Sequence, residues 1–113
     1  MAYKILKFRT VNRDVFKAII NGKKNIETRA ATPKYREVKV GDVLTLVCGR
    51  DQADMKVVSV ELFRTIGALL KKYKPLEINP KTETVKEARA MWHSFPGYDE
   101  KIKQFGLVAW KLK

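Results

Sequence analysis

Alternating apolar and polar residues begin the chain, and a helical spacing follows them. The apolar positions of Tyr3–Phe8, with Lys4 and Lys7 among them, predict a β-strand. Apolar residues then recur three and four positions apart, which predicts an amphipathic helix; these residues are Val15, Phe16, Ile19 and Ile20. Gly22 stands where a left-handed residue would end this helix.

A short strand with several charged residues is predicted directly after this glycine. A period of two places Ile26 and Thr28 on one face of the strand. Glu27 and Arg29 then share the opposite face, about 7 Å apart along the strand, and we expect that face to be open because Ile26 belongs in a core. Lys24 breaks the alternation, so it either belongs to the preceding turn or is brought round to Glu27 by a β-bulge.

The middle of the chain predicts a β-hairpin. Residues 32–36 are expected to form an exposed loop, and Gly41 lies in a tight turn before the strand Val43–Cys48. Residues 49–54 are polar turn material, and residues 55–63 form a long second strand. Both strands are apolar on both faces for part of their length, which suits a small closed sheet that is filled inside and covered outside.

The second half of the chain combines capped helices with loops and a final strand. Thr65 caps a short helix, a proline-marked loop covers residues 74–81, and Thr84 begins a capping-box pattern. Tyr98–Phe105 is the last helix and Leu107–Leu112 the closing strand. We therefore predict a single α+β domain over residues 1–113, a small barrel of five to six mostly antiparallel strands with flanking helices.

The charge balance narrows the range of partners. Lys and Arg total 24 against 12 acidic residues, which gives a net charge of +12 and a pI near 10.0. Such an excess attracts polyanions and favours a nucleic-acid partner. The alternatives are a solubilising lysine surface, as in heat-adapted proteins, or a basic face that binds an acidic protein. A membrane surface is not expected, because no helix opposes a strongly basic face to a wholly apolar one.

The sequence lacks the residues that nucleophilic catalysis and metal binding require. The single cysteine, Cys48, lies in a strand pattern and is expected in the core, and the single histidine, His93, is expected at the surface. Together they supply neither a nucleophile constellation nor a metal site, so we expect no metal and no cofactor. The chain has no apolar run long enough to cross a bilayer and no signal-peptide pattern, so a cytoplasmic protein, monomeric by default, is expected.

Lys24, Glu27 and Arg29 are the candidate site residues. A carboxylate between two cations is held ionised with a lowered pKa, and it can then orient a base edge or accept a proton from water. Arg29 offers a planar fork for phosphate, and Lys24 a point charge. The alternative is a surface strand with a salt bridge worth about 0–1 kcal/mol.

Aromatic residues near the basic positions could stack on nucleic-acid bases. The five candidates are Tyr35, Tyr73, Trp92, Phe95 and Tyr98. Trp92 and Phe95 are expected in the core, since large aromatic residues dominate core burial. Tyr98 follows a Pro-Gly pair and precedes a basic helix, so we expect it to be exposed.

These motifs, in this order, resemble the ASCH domain family of the PUA-like superfamily. The similarity covers nearly the whole chain and includes five segments: Gly22-x-Lys24-x-x-Glu27-x-Arg29, residues 40–44, residues 57–63 running into Thr65-Ile66, Phe95-Pro96-Gly97-Tyr98, and residues 106–108. The resemblance implies a β-barrel with flanking helices, RNA binding, and a cleft beside the charged motif. Some small members hydrolyse amides on acetylated cytidine, using a threonine nucleophile where Glu27 stands here. This chain departs from them, because Thr28 is one residue later and faces the other way by strand parity.

Two functions follow as hypotheses. The first is an RNA-binding module whose contacts come from Lys23, Lys24, Glu27, Arg29, Tyr35, Arg36 and Tyr98. In this hypothesis Lys24 contacts phosphate, so Lys24→Ala would weaken binding to all sequences alike. The second is a hydrolase acting on RNA or a modified nucleoside, of ribonuclease or amidohydrolase type, with Glu27 as general base and Lys24 beside it.

Overall fold

The structure is a computed structural model that describes residues 3–113, and within this range it contains five strands and six helices. The strands are β1 (Tyr3–Phe8), β2 (Ile26–Ala30), β3 (Val43–Cys48), β4 (Asp51–Phe63) and β5 (Leu107–Leu112). The helices are α1 (Arg13–Ile20), α2 (Pro33–Arg36), α3 (Ile66–Lys72), α4 (Pro75–Ile78), α5 (Val85–Ser94) and α6 (Tyr98–Phe105), and a 3₁₀ turn at Thr10–Asn12 precedes α1.

One curled, half-barrel sheet organises the domain. Its strand order is β1-β3-β4-β5-β2, so β1 and β2 are the two edge strands. The pairs β3–β4, β4–β5 and β2–β5 are antiparallel, and β1–β3 is parallel. The predicted α+β class and the mostly antiparallel, barrel-like sheet with flanking helices are confirmed, with the five strands of residues 3–113 curled into a half-barrel that has β1 and β2 at its two open edges.

Two buried clusters lie on the two faces of this sheet. In the inner cluster the buried face of α1 packs against β1, β3 and β5. Its residues include Phe16, Leu6, Leu46 and Trp110. The outer cluster packs α3, α5 and α6 against the far end of β2 and β5, with Trp92 at 0% exposure. Of the predicted apolar stripe of α1, Ile20 is left 44% exposed, because the helix ends at this residue.

The structure corrects the prediction that Glu27 and Arg29 lie on an open face. In the β2–β5 ladder Glu27 stands opposite Trp110, and Arg29 stands opposite Val108. Directly opposed residues share a face, and both of these partners belong to the inner cluster. Strand parity grouped the residues correctly, but it could not tell that a curled sheet buries both faces of this strand.

Three predicted loops are more ordered than the sequence suggested. Residues 32–36 contain α2, and residues 74–81 contain α4; each helix begins with a proline at its first position, where the missing N–H costs nothing. Residues 49–54 are not one turn, because β4 begins at Asp51 directly after the two-residue turn Gly49-Arg50. The predicted hairpin is therefore correct but tighter than expected. In the described part of the chain, no helix has the length and apolar character needed to cross a membrane.

Candidate functional site

Lys24 belongs to the turn before β2, which settles the choice between a turn and a bulge. Gly22 has a φ of +81°, and the Lys24 backbone N–H donates to the Ala18 carbonyl at 3.0 Å, which folds the chain back against α1. The Lys24 side chain is 1% exposed. Its Nζ donates to the Ile26 carbonyl oxygen and, at 3.0 Å, to Glu27 Oε1.

The Glu27 carboxylate is the centre of this buried charged group. Oε1 accepts from Lys24 Nζ and, at 3.1 Å, from the Thr28 backbone N–H, and Oε2 accepts from Arg29 Nη2 at 3.3 Å. Burial opposes ionisation of Glu27, but the charges of Lys24 and Arg29 and these hydrogen bonds outweigh it and hold its pKa below the ordinary value. The predicted placement of the Glu27 carboxylate between two basic side chains is confirmed.

The group contains two basic side chains and one acidic one. Lys24, Arg29 and Glu27 are all at most 17% exposed. Burial lowers the pKa of Lys24, because the attraction of Glu27 does not fully offset the loss of hydration, and the charge of Arg29 lowers it further. The site therefore has one carboxylate for two basic groups, and its surroundings disfavour a second positive charge.

Arg29 also joins the two edge strands of the sheet. Its Nη2 donates to the Lys7 carbonyl oxygen of β1 at 3.1 Å, although Arg29 lies on β2. Its guanidinium packs on the Phe8 ring, with 4.9 Å between Cζ and the ring centroid. Arg29 thus spans the gap between β1 and β2, and the Phe8 ring and the Glu27 carboxylate fix its position.

A cavity of about 470 Å³ opens at this gap. Glu27, Thr28 and Arg29 of β2 line one side. A second wall comes from the end of β1, the 3₁₀ turn and the start of α1, and a third from residues 78–82 and the segment from α5 to Tyr98. Its volume falls within the range of about 300–1,000 Å³ that is usual for small-molecule sites.

Two contacts bridge the walls of the cavity near solvent. Arg9, at the end of β1, lies over the Phe95 ring at 5.9 Å. Lys81 forms an ion pair of 2.7 Å with Asp14 of α1, and both side chains are more than half exposed. Lys7, Arg9 and Lys81 all line the cavity and are exposed, so they form a basic rim around it.

Three of the predicted site residues line the cavity and the other four do not, although Lys24 is hydrogen-bonded to Glu27 behind the cavity wall. Glu27, Arg29 and Tyr98 line the cavity, whereas Lys23, Lys24, Tyr35 and Arg36 do not. The predicted contact of Lys24 with phosphate is wrong, because a side chain that is 1% exposed presents no surface to a ligand. Tyr35 packs edge-on against Trp110 at 5.6 Å, and Arg36 donates to the Ala31 carbonyl at 2.9 Å.

Two of the aromatic candidates, Phe95 and Tyr98, lie in surroundings that differ from those predicted. Trp92 is in the core as predicted, but Phe95 is half-buried and lines the cavity. Tyr98 is half-buried rather than exposed, and it packs edge-on against Phe95 at 5.1 Å. Burial raises the pKa of the Tyr98 hydroxyl. Tyr73 donates to Glu61 at 2.6 Å and does not line the cavity.

Sequence reasoning missed the basic rim. Lys7 and Arg9 flank Phe8 at a strand end, and this interleaving of cations with an aromatic residue was a signal that could have identified them. Asn79, Lys81 and Thr82 come from a loop about fifty positions from the charged motif, and no local pattern connects the two segments.

His93 and Cys48 take no part in the cavity. His93 is exposed and its Nδ1 lies 2.6 Å from Asp99, while Cys48 is fully buried in β3. Neither residue lines the cavity. Among residues 3–113, no group of three or more His, Cys, Asp or Glu side chains is arranged to hold a metal ion.

Comparison with known proteins gives the fold of this chain a precedent. No family model and no curated protein matches it. The crystal structure of the hypothetical protein PH0355 is similar, with a TM-score of 0.80 and 21% identity, over 100% of this chain and 98% of that one. The solution NMR structure of protein PF0455 from Pyrococcus furiosus is similar with a TM-score of 0.77 and 23% identity, over 100% of this chain and 96% of that one. At these identities the likeness establishes the fold alone.

Proposed function

We propose that this protein binds single-stranded RNA, with the cavity receiving part of one nucleotide and the basic rim holding the backbone. The observation that carries the proposal is the placement of a buried Glu27–Arg29 pair inside a cavity rimmed by Lys7, Arg9 and Lys81. The resemblance to the ASCH family and the net charge of +12 support it. In this proposal the protein acts as a monomer in the cytoplasm.

Each part of the site has a role in this proposal. The exposed rim cations contact phosphates, which fixes the position of the strand but carries little sequence information. Glu27 orients the inserted nucleotide through its carboxylate. Oε1 accepts two protein hydrogen bonds and Oε2 accepts one, so Oε2 has room to accept another from the nucleotide. Tyr98 and Phe95 supply aromatic surface in the wall. Lys23 and Arg36 lie outside the cavity and contribute to RNA binding only through their positive charge.

The state of Glu27 favours binding over acid–base catalysis. A general base works best with a pKa near the operating pH. The pKa of Glu27 is held below its ordinary value by two cations and by the Thr28 N–H, so it has little tendency to take up a proton. The same hydrogen bonds fix its geometry, as a recognition group requires.

Fluorescence anisotropy with a short single-stranded RNA over a series of salt concentrations tests this proposal. We expect binding at low salt that weakens with salt. Removing the three rim cations (Lys7→Gln, Arg9→Gln and Lys81→Gln together) should reduce the slope of log K against log salt by about two, because each phosphate that a cation neutralises contributes roughly 0.7 to that slope. The matched control removes three exposed lysines outside the cavity: Lys39→Gln, Lys86→Gln and Lys103→Gln.

The outcomes separate the proposed partner from its alternatives. Equal reductions of the slope in the two triple variants would place RNA on the general basic surface and contradict the cavity as the site. Absence of binding at low salt would contradict RNA binding altogether. If the protein instead binds an acidic protein, and RNA does not displace it, an interaction domain is favoured over an RNA-binding module.

A hydrolase acting on RNA or a modified nucleoside is the second candidate. The observation that favours it is that Thr28, on the other face of the edge strand β2, lines the same cavity as Glu27. Incubation of modified nucleosides and RNA with the wild type and with Glu27→Gln tests it. Turnover by the wild type that is lost in the variant while binding is kept would establish the enzyme; no turnover by the wild type would exclude it for those substrates.

A further inference from the structure

We propose that the ligand group entering the cavity is a phosphate monoester, carried either by a free mononucleotide or by the phosphorylated end of an RNA strand. This inference rests on the proposed function and makes its ligand more specific. The cavity would therefore recognise a terminus or a single nucleotide, not the interior of a strand.

The first argument is the ratio of basic to acidic groups at the site. Two basic side chains, Lys24 and Arg29, share one carboxylate, Glu27, and a charge removed from water is costly unless it is paired. Arg29 lies in the lining of the cavity, so an anion bound there would give it a second negative partner beside Glu27. A neutral nucleoside would supply no such charge.

The second argument is the unused hydrogen-bonding capacity of Arg29. Nη2 is occupied by Glu27 and by the Lys7 carbonyl oxygen. Within residues 3–113, no group accepts a hydrogen bond from its Nε or Nη1, which leaves three N–H donors of the guanidinium for a ligand. A guanidinium held in place on one side, with free donors on the other, suits the terminal oxygens of a phosphate.

The third argument is the shape of the site. A phosphodiester inside a strand needs two exits for the chain. β2 lines one side of the cavity, and the Arg9–Phe95 and Asp14–Lys81 contacts join its other walls near solvent, which narrows the room for a strand to pass through. A monoester needs only one exit, and it carries close to two negative charges at neutral pH, whereas a diester carries one.

The test compares ligands that differ only in the phosphate. Adenosine, adenosine 5′-monophosphate and inorganic phosphate are titrated by NMR into the ¹⁵N-labelled protein. A short RNA is then measured with a 5′-phosphate, with a 3′-phosphate, and with hydroxyl groups at both ends. We expect the monophosphate to bind about tenfold more tightly than adenosine or more, and one phosphorylated RNA to exceed the hydroxyl-ended RNA by a similar factor. Shifted amide signals should include those of β2.

The outcomes distinguish this inference from the proposed function. Equal binding of all three RNAs, together with equal binding of the nucleoside and the nucleotide, would overturn the inference and leave RNA binding in place. Nucleotide binding without binding of any RNA would support the monoester site, assign it to free mononucleotides, and overturn RNA binding. Preference for one phosphorylated RNA supports both and identifies which end is recognised.

A pair of conservative variants separates the site from general attraction to charge. Arg29→Lys keeps the charge but loses the planar fork, so the preference for the monophosphate over adenosine should fall about tenfold. Arg64→Lys, at an exposed position outside the cavity, should leave the preference unchanged. Equal effects of the two substitutions would contradict the site. If Arg29→Lys does not fold, the comparison of ligands on the wild type still decides the question.

Discussion

Lys24 is a structural residue of the site, not a contact residue. Its ammonium group is enclosed between the Ile26 carbonyl and Glu27, where it neutralises a carboxylate that would otherwise be buried next to Arg29 alone. A Lys24→Met substitution should therefore lower the free energy of unfolding by roughly 1–3 kcal/mol, because the Ile26 carbonyl and one Glu27 oxygen lose a buried hydrogen bond while Arg29 still pairs with Glu27. Urea denaturation measures this cost. The exposed neighbour provides the control, since Lys23→Met should stay within about 0.5 kcal/mol of the wild type; equal effects at the two positions would contradict the assignment.

The ionisation of Glu27 should make stability depend on pH on the acid side. Its folded-state pKa lies below the ordinary value of 4.5, so the unfolded chain binds a proton more readily. The stability that Glu27 contributes is therefore fully present above pH 4.5 and is lost as the pH falls from there through the folded pKa. Glu27→Gln lacks this titration, so the difference in unfolding free energy between it and the wild type should shrink below that pH. The exposed Glu100→Gln serves as the control, and a difference that stays constant with pH would contradict the ionised state of Glu27.

At the scale of elements, the junction between α6 and β5 depends on a single residue. Gly106 has a φ of +78°, and a Cβ at this position would collide with the Phe63 carbonyl oxygen of β4. Gly106→Ala should therefore cost more than the roughly 1–2 kcal/mol of a left-handed alanine. The backbone conformation adds to this cost, because φ of +78° with ψ of −158° is a region that essentially only glycine populates. Gly22→Ala is the matched control, because Gly22 has a φ of +81° with open space around its Cα. Thermal unfolding of both variants checks the order, and a smaller loss of stability at Gly106 would contradict the close approach to β4.

The elements themselves were largely predictable from the sequence because their signals are local. β1, β3 and β5 have the predicted bounds, and Thr65 and Thr84 accept from the backbone N–H groups of Ala68 and Glu87 as N-caps do. The short helices α2 and α4 escaped prediction because a single turn has no periodicity to detect. The core position of Ile26 was predicted correctly, but the burial of the Glu27–Arg29 face of β2 was not, since it depends on how far the sheet curls.

At the scale of the whole molecule, the site exists because the sheet does not close. β1 and β2 are edge strands, and Arg29 spans the gap between them through the Lys7 carbonyl. The charged motif was visible in the sequence because its three residues lie within six positions of one another. The cavity was not visible, because its other walls come from the end of β1 and from residues 78–98, which only the fold brings to β2.

The net charge of +12 should weaken the folded state at low ionic strength. The molecule measures 31 × 26 × 24 Å, and the Debye length is about 30 Å at 0.01 M salt, so nearly every surface cation repels every other. At about 1 M the Debye length is near 3 Å, and this repulsion is screened while the buried Lys24–Glu27–Arg29 group is not. We therefore expect the melting temperature to rise with NaCl. A variant in which Lys39, Lys86 and Lys103 are replaced by Glu should melt higher at low salt and respond less to NaCl, because six units of positive charge are removed. A melting temperature that falls with NaCl would instead show that surface ion pairs such as Lys4–Glu37 outweigh the repulsion.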